Sequence, residues 1–452
     1  MQFELTKSFL DQLEGLLAER NERAIVEMVH DLHPADIAEI LDELDTEDAT
    51  VFYQYLDAEK AALALIELEN EVRVRFLEAL TSDAIAKDFI DNLNSDDAAD
   101  VISELPQERK EEVIAKLESE EQASDIVDLL NYDENSAGGL MAKEMIKVDE
   151  NWSITRCIRE MRKQAESIEN VYTIYVVDNT NKLKGTLSLK KLLLAPTKSK
   201  IEDLYQKEVR SVKASEKSET VAMIMKKYDL VVLPVVDELG RLIGRITIDD
   251  VVDVIQEEAE KDYQMASGIS EKVESSDRIW VLTRARLPWL VIGLLGGIFG
   301  AQVISVYEND IQIYPEMAFF IPLIAAMGGN VGVQSSAIIV QGLANKSLGM
   351  DSLMERLLKE LLVALANGFI CGAIVLAYNF LFSDSYALSI TVSTALLTVV
   401  IFASFFGTVT PLVLNRYRID PALATGPFIT TVNDVFGLFI YFMIGRLMYA
   451  LF

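Results

Sequence analysis

Asp434 is the residue whose type and setting most directly imply chemistry: it stands inside a C-terminal stretch, residues 421–452, whose only other charge is Arg446. A carboxylate at bilayer depth costs about 2.5–3.5 kcal/mol on insertion scales, so it normally faces a bundle interior or a wet cavity. No base occupies the central part of any apolar stretch of the chain. A cation is therefore the expected counter-charge. Oxygen-bearing residues surround it in sequence: Thr430, Thr431 and Asn433. Gly426 precedes Pro427, whose missing N–H is expected to free backbone carbonyls about two turns ahead of the carboxylate. These are hard oxygen donors without His or Cys, which suits Mg²⁺, Ca²⁺ or Mn²⁺ over Zn²⁺ or Cu²⁺. Mg²⁺ keeps several of its waters, so one or two carboxylates suffice. One per chain is thin, and a two-fold dimer would supply the second.

A second segment, Met327 to Ser336, places Gly328, Gly329, Gly332 and two amides, Asn330 and Gln334, inside another apolar stretch. Small residues there serve close helix approach or pore lining. Asn330 and Gln334 are four apart and share a helix face.

These residues need a membrane scaffold, and the hydropathy supplies one. Residues 287–307, 317–345, 361–383 and 385–415 carry no charge, and 421–452 makes a fifth segment. Each is long enough to cross a bilayer. Arg284 and Arg286, then Lys346, Arg356 and Lys359, then Arg416 and Arg418 fall on one side; Glu308, Asp310, Glu316 and Asp384 fall on the other. The basic side is expected to be cytoplasmic, which leaves the C-terminus outside. The first residues lack the basic start and long apolar core of a secretory signal, which agrees with a cytoplasmic N-terminus in the inner membrane.

Charge is distributed unevenly. The first 286 residues hold 62 acids against 35 bases, a net of −27 within a total of −30. Such a body repels nucleic acid and attracts cations. Cys157 and Cys371 lie in different halves, so neither a disulfide framework nor a CxxC site is available. His30 and His33 flank a helix start, where capping or surface roles are expected rather than zinc binding.

Residues 1–135 read as an all-α soluble domain, with apolar residues recurring at three and four and few Gly or Pro. A weak repeat relates residues 35–44 to 96–105, with Asp36/Asp97, Ala38/Ala99, Glu43/Glu104 and Leu44/Leu105 identical, so a small helical solenoid is expected. From Gly138 the texture becomes α/β. A strand at 171–177, a turn at Asp178 and Asn179, and a returning strand at 183–189 recur about 58 residues later as 230–236, Asp237 to Gly240, and 242–248. Helices are expected at 153–164, 189–194, 219–228 and 249–258. Two tandem β-α-β-β-α units resemble a paired CBS module, with units at 136–200 and 201–258. Residues 259–286 form a polar connector, with a helix expected from about Lys261 to Thr283.

Together these residues resemble the MgtE family of magnesium channels along nearly the whole chain. The resemblance is carried by His33-Pro34, the 136–141 segment, Arg286 to Leu290, the Gly-Gly-Asn segment and the run from Asp420 to Asp434. It implies a homodimer with a pore lined by the second and fifth spans and Asp434 as the selectivity site. It further implies closure by cytoplasmic Mg²⁺, with Asp96, Asp100, Asp229, Asp250, Asp253, Glu258 and Asp262 matching the sensing acids. Gly426 stands where some relatives have Asn, and Lys217, Lys261 and Ala64 where relatives can carry acids. CBS pairs often bind adenine nucleotides; Thr247 and Asp250 suit a ribose contact, with ATP as a modulator rather than a substrate. No catalytic constellation is present. The residues alone leave a channel, an exchanger of Mg²⁺ against Na⁺ or H⁺, and a membrane-anchored sensor open.

Overall fold

The computed structural model describes residues 3–168, 170–196, 199–273, 277–344, 353–382, 385–424 and 426–451. Lys346 and Asp384, two of the charges used for orientation, lie outside them. The chain divides into two compact units, Met1–Gln256 and Glu257–Phe452.

The first unit opens with short helices from Lys7–Ala18 to Glu120–Leu129. Their starts are set by side-chain caps: Thr6, Asn21, Asp45, Thr81 and Ser119 accept hydrogen bonds from the exposed first-turn N–H groups. His33 caps Pro34–Glu43 through its ring nitrogen while Asp36 reaches back to the His33 N–H, with Pro34 at the first helical position. The internal repeat is a packing register. Pro34–Glu43 buries Ile37, Ala38, Ile40 and Leu41, and Ser95–Ser103 buries the equivalent Ala98, Ala99, Val101 and Ile102. Both helices therefore present the same stripe to one core, which also holds Phe52, Leu65 and Phe89.

Two three-stranded sheets follow. In the first, β1 (Ile146–Asp149) runs parallel to β2 (Ile174–Val177), which pairs antiparallel with β3 (Leu183–Leu187); β4 (Val212–Lys213), β5 (Val232–Val236) and β6 (Leu242–Thr247) repeat that order. Each hairpin turns on an aspartate. Asp178 Oδ1 accepts the N–H groups of Thr180 and Lys182 at 2.8 and 3.0 Å, and Asp237 Oδ1 those of Leu239 and Arg241 at 2.9 and 2.8 Å. The helices Ile154–Gln164, Leu189–Leu194 and Ser218–Tyr228 lie where the sequence places them, to within a residue.

The connector departs from expectation. The helix that begins at Ile248 does not stop at 258 but runs to Ala266, and the next, Ile279–Val306, starts eight residues ahead of the first apolar stretch. The expected helix from Lys261 to Thr283 is thus the end of one helix and the start of another, and residues 274–276 of that stretch lie outside the described residues. Gly268, at φ +81°, supplies the left-handed residue that ends the first. Hydropathy marks what lipid covers, not where a helix starts, so Arg284 and Arg286 sit inside the second.

Among the described residues of the second unit five helices are long and apolar enough to span a membrane: Ile279–Val306, Pro315–Ala344, Glu355–Phe382, Tyr386–Arg416 and Pro427–Tyr449. They are called the first to fifth spans below. The second, fourth and fifth build the centre, around Ile324, Val392, Leu396, Val399, Tyr441 and Phe442. The Tyr441 hydroxyl donates to the Met317 carbonyl at 2.8 Å, satisfying a phenol buried among apolar groups. The first and third spans expose large apolar side chains such as Leu290, Phe299, Phe369 and Ile374, surface that lipid accepts and water does not.

Candidate divalent-cation sites

The fifth span starts at Pro427 itself, with Pro421–Ala424 as a separate single turn. Pro427 occupies the first helical position, where its missing N–H costs nothing. The expectation that it frees carbonyls is therefore corrected: the Gly426 carbonyl accepts from the Thr430 N–H at 3.1 Å and the Thr430 hydroxyl at 3.0 Å. Gly426 has φ +57° and ψ −129°, open to glycine alone, and a Cβ there would strike the Ala266 carbonyl.

Asp434 lies two turns into this helix, half-buried, in the seam with the second span. Its Oδ1 is sealed from solvent and has no hydrogen-bond partner among the described residues. The seam is close because Gly329 has no side chain: a Cβ there would sit 3.4 Å from Asp434 Oδ1 and 3.0 Å from Thr430 Cγ2. Gly332 is more constrained, since its missing Cβ is the space that the Asn433 amide fills. Asn433 is fully buried, with neither amide atom hydrogen-bonded. Thr431 turns the other way, with its methyl packed against Gly296 of the first span. Of the oxygens adjacent in sequence, Thr430 shares the Gly329 wall with Asp434, whereas Asn433 and Thr431 address other helix contacts. Helical geometry decides this, because neighbours in sequence are about 100° apart around the axis.

The glycine-rich segment divides its work by face. Gly328, Gly329 and Gly332 are buried toward the fourth and fifth spans, and Asn330 and Gln334 form an exposed polar edge. Packing and polar display, alternatives on the sequence alone, coexist on opposite sides of one helix.

A second concentration of carboxylates lies within the first unit. The Ser95–Ser103 helix brings Asp96, Asp97 and Asp100 toward Asp249 and Asp250 at the start of the Ile248–Ala266 helix, with Glu144 beside them. Glu144 anchors the arrangement, accepting the Ser95 N–H at 3.0 Å and the Ser95 hydroxyl at 2.8 Å. Burial first, then repulsion from Asp250, Asp100, Asp249 and Glu144, pushes the Asp97 carboxyl up to about 7. Asp100 is pushed up to about 7 by burial and Glu134, against the opposing pull of Arg73. Asp96 is driven well above the usual carboxylate range by burial, Asp97 and Asp250. Asp250 is also raised by burial, against two hydrogen bonds from Thr247 to its Oδ2, at 3.1 Å from N–H and 2.7 Å from the hydroxyl. Several carboxylates that resist charging together favour a nearby cation, although among the described residues no three or more of them are arranged closely enough to hold a metal ion.

Of the sensing acids expected from sequence, Asp96, Asp100 and Asp250 come together here. Asp97, Asp249 and Glu144 join them unforeseen; the doublets Asp96-Asp97 and Asp249-Asp250 were a visible signal, whereas Glu144 reaches the site only through its tertiary contact with Ser95. Of the remaining acids, Asp229 and Asp253 lie in this unit, and Glu258 and Asp262 belong to the second unit. Asp229 is an exposed, left-handed helix cap at φ +50°, Glu258 pairs with Lys261 at 3.1 Å, and Asp253 and Asp262 are exposed. Thr247 and Asp250, expected to meet a ribose, are hydrogen-bonded to each other at the edge of the acid cluster.

An acidic soluble unit with a CBS pair, joined to five apolar helices with a carboxylate at a helix seam, defines a multi-pass membrane protein that handles hard cations. Family models described as the MgtE intracellular N domain, the CBS domain and a divalent cation transporter match residues 32–135, 137–198 with 201–257, and 321–444. The chain is 33% identical to the magnesium transporter MgtE of Thermus thermophilus, over 96% of this chain and 97% of that one. With the Bacillus subtilis magnesium transporter MgtE it shares 29% identity, over 95% of each. Among solved structures it resembles the cytosolic domain of the Mg²⁺ channel MgtE in complex with ATP, at 34% identity and a TM-score of 0.51, covering 54% of this chain and 99% of that one. The chain belongs to the MgtE family of magnesium transporters, which are not enzymes.

Proposed function

We propose that the protein is a homodimeric Mg²⁺ channel of the cytoplasmic membrane, with its N-terminus inside and its C-terminus outside. Asp434 is its permeation carboxylate, and cytoplasmic Mg²⁺ holds it closed. The observation that carries this reading is Asp434 Oδ1, buried at the seam of the second and fifth spans without a hydrogen-bond partner among the described residues. An oxygen so placed costs free energy unless an ion or water satisfies it. A second copy would bring two such carboxylates to a shared axis, with Asn330 and Gln334 at the exposed edge between them. Membrane lipid covers the first and third spans, and the −27 charge of the first 286 residues leaves no role for nucleic acid.

Closure rests on Asp96, Asp100 and Asp250, and by resemblance on Asp229, Asp253, Glu258 and Asp262. A cation bound by one arrangement of these acids and not by another shifts the population toward the first. A channel needs no other energy source, since a divalent ion gains about 4.6 kcal/mol per 100 mV of inside-negative potential, twice the single-charge value. ATP is proposed as a modulator on the strength of the relative solved with it. The deciding experiment is reconstitution in liposomes, with Mg²⁺ flux driven by voltage alone while Mg²⁺ on the N-terminal face is varied. Flux that requires an opposing Na⁺ or H⁺ gradient refutes the channel.

A further inference from the structure

Glu360 reads in sequence as a loop acid at the edge of an apolar stretch, yet its carboxylate turns into the bundle. Its Oε1 accepts a hydrogen bond from the Ser335 hydroxyl of the second span at 2.6 Å and from the Ser404 hydroxyl of the fourth at 3.1 Å. The two hydroxyls are 3.0 Å apart, and Ser335 and Ser404 are 5% and 1% exposed. Three spans therefore meet at one carboxylate oxygen that accepts from two hydroxyls.

The location of this junction gives it a role. Ser335 is three residues beyond Gly332, and Ser404 three before Gly407. Gly407 approaches so closely that a Cβ on it would strike the Gly332 carbonyl. The serine pair and the glycine pair are neighbouring contacts where the second and fourth spans cross; the two run in the same direction, since Gly328 meets Val399 earlier along each. On its other side the second span offers Gly329 and Gly332 to Asp434 and Asn433. Anything that fixes the second span against the fourth also fixes the wall facing Asp434.

We propose that Glu360 is a positioning residue for permeation: it pins Ser335 and Ser404 together and thereby holds the glycine face of the second span against Asp434. This inference rests on the reading of Asp434 as the permeation carboxylate.

The test compares Mg²⁺ flux and Mg²⁺-over-Ca²⁺ discrimination of the full-length protein in liposomes, with melting followed in parallel. In Glu360→Ala, half-saturating Mg²⁺ is expected to rise about tenfold with loss of discrimination, on the scale of one lost charge-assisted hydrogen bond. Glu360→Gln keeps an oxygen for the serines and is expected to stay within about threefold of the parent. Ser404→Ala, which removes one donor, falls between them and carries the test if Glu360→Ala does not fold. Parental half-saturation and discrimination in Glu360→Ala, or in Ser404→Ala if that variant stands in, overturn the proposal. Equal impairment of the Gln and Ala variants also overturns it, because charge rather than hydrogen bonding would then matter. Asp434→Asn is run alongside: a defect there with none in Glu360→Ala refutes only the role of Glu360, and no defect there refutes both.

Discussion

Replacing Asp97 by Asn should stabilise the first unit in the absence of Mg²⁺ and remove part of its response to the ion. The Asp97 carboxyl is pushed from 3.8 to about 7 by burial and by neighbouring acids. At about 1.4 kcal/mol per unit, that places an upper bound of about 4 kcal/mol on the penalty for its charged form. Water at the open edge of the cluster screens the repulsion, so about 1–2 kcal/mol is the expected gain. For a unit of this size the melting temperature should rise by roughly 2–8 °C at pH 8. The sign with pH follows from linkage. The folded unit binds this proton more tightly than the unfolded chain, so acidification stabilises it, and the benefit fades as pH rises from about 4 through 7. Lowering pH from 8 to 6 should therefore recover about 1.4 kcal/mol per such group in the parent and less in the variant. The assay is thermal melting of residues 1–256 at both pH values, with and without Mg²⁺. A Mg²⁺-free variant that melts lower than the parent at pH 8, or one that keeps the full Mg²⁺ increment, refutes the reasoning.

Further outcomes follow from the same geometry. Asp434→Asn should abolish or strongly weaken divalent selectivity in liposome flux without lowering the melting temperature, because it removes a charge buried without a partner; unchanged selectivity would count against the pore assignment. Gly332→Ala should cost about 2 kcal/mol or more by overpacking against Asn433 and Ile429, whereas Gly293→Ala, which faces open space, should be neutral in detergent melting. Gly426→Ala should perturb both the start of the fifth span and its contact with Ala266, through backbone strain of about 1–3 kcal/mol. Mg²⁺ binding to the acid cluster, followed by calorimetry, should weaken as pH falls from 8 to 6, since protons on Asp97 and Asp100 compete with the ion.

The sequence alone determined the division into a helical domain, a CBS pair and five apolar helices, because hydrophobic period, turn residues and span length are local properties. It also located Asp434, since a carboxylate in an apolar run is costly wherever it folds. The repeat was legible for the same reason, its shared positions being the buried stripe. Tertiary structure alone decided which way side chains point and which segments meet. Thr431 and Asn433 precede Asp434 in sequence, but Thr431 packs on Gly296 of the first span while Asn433 fills the space at Gly332 of the second, and the glycines at 329 and 332 matter only because the fifth span rests on them. The connector broke at Gly268 because helix ends are set by capping and backbone conformation, which hydropathy does not encode. Glu144 and Glu360 stood out as neither ligands nor anchors in the sequence; each acquires its role from serines brought to it across 49 residues in one case and across 25 and 44 in the other. Such partners are contributed by packing, which no local pattern specifies.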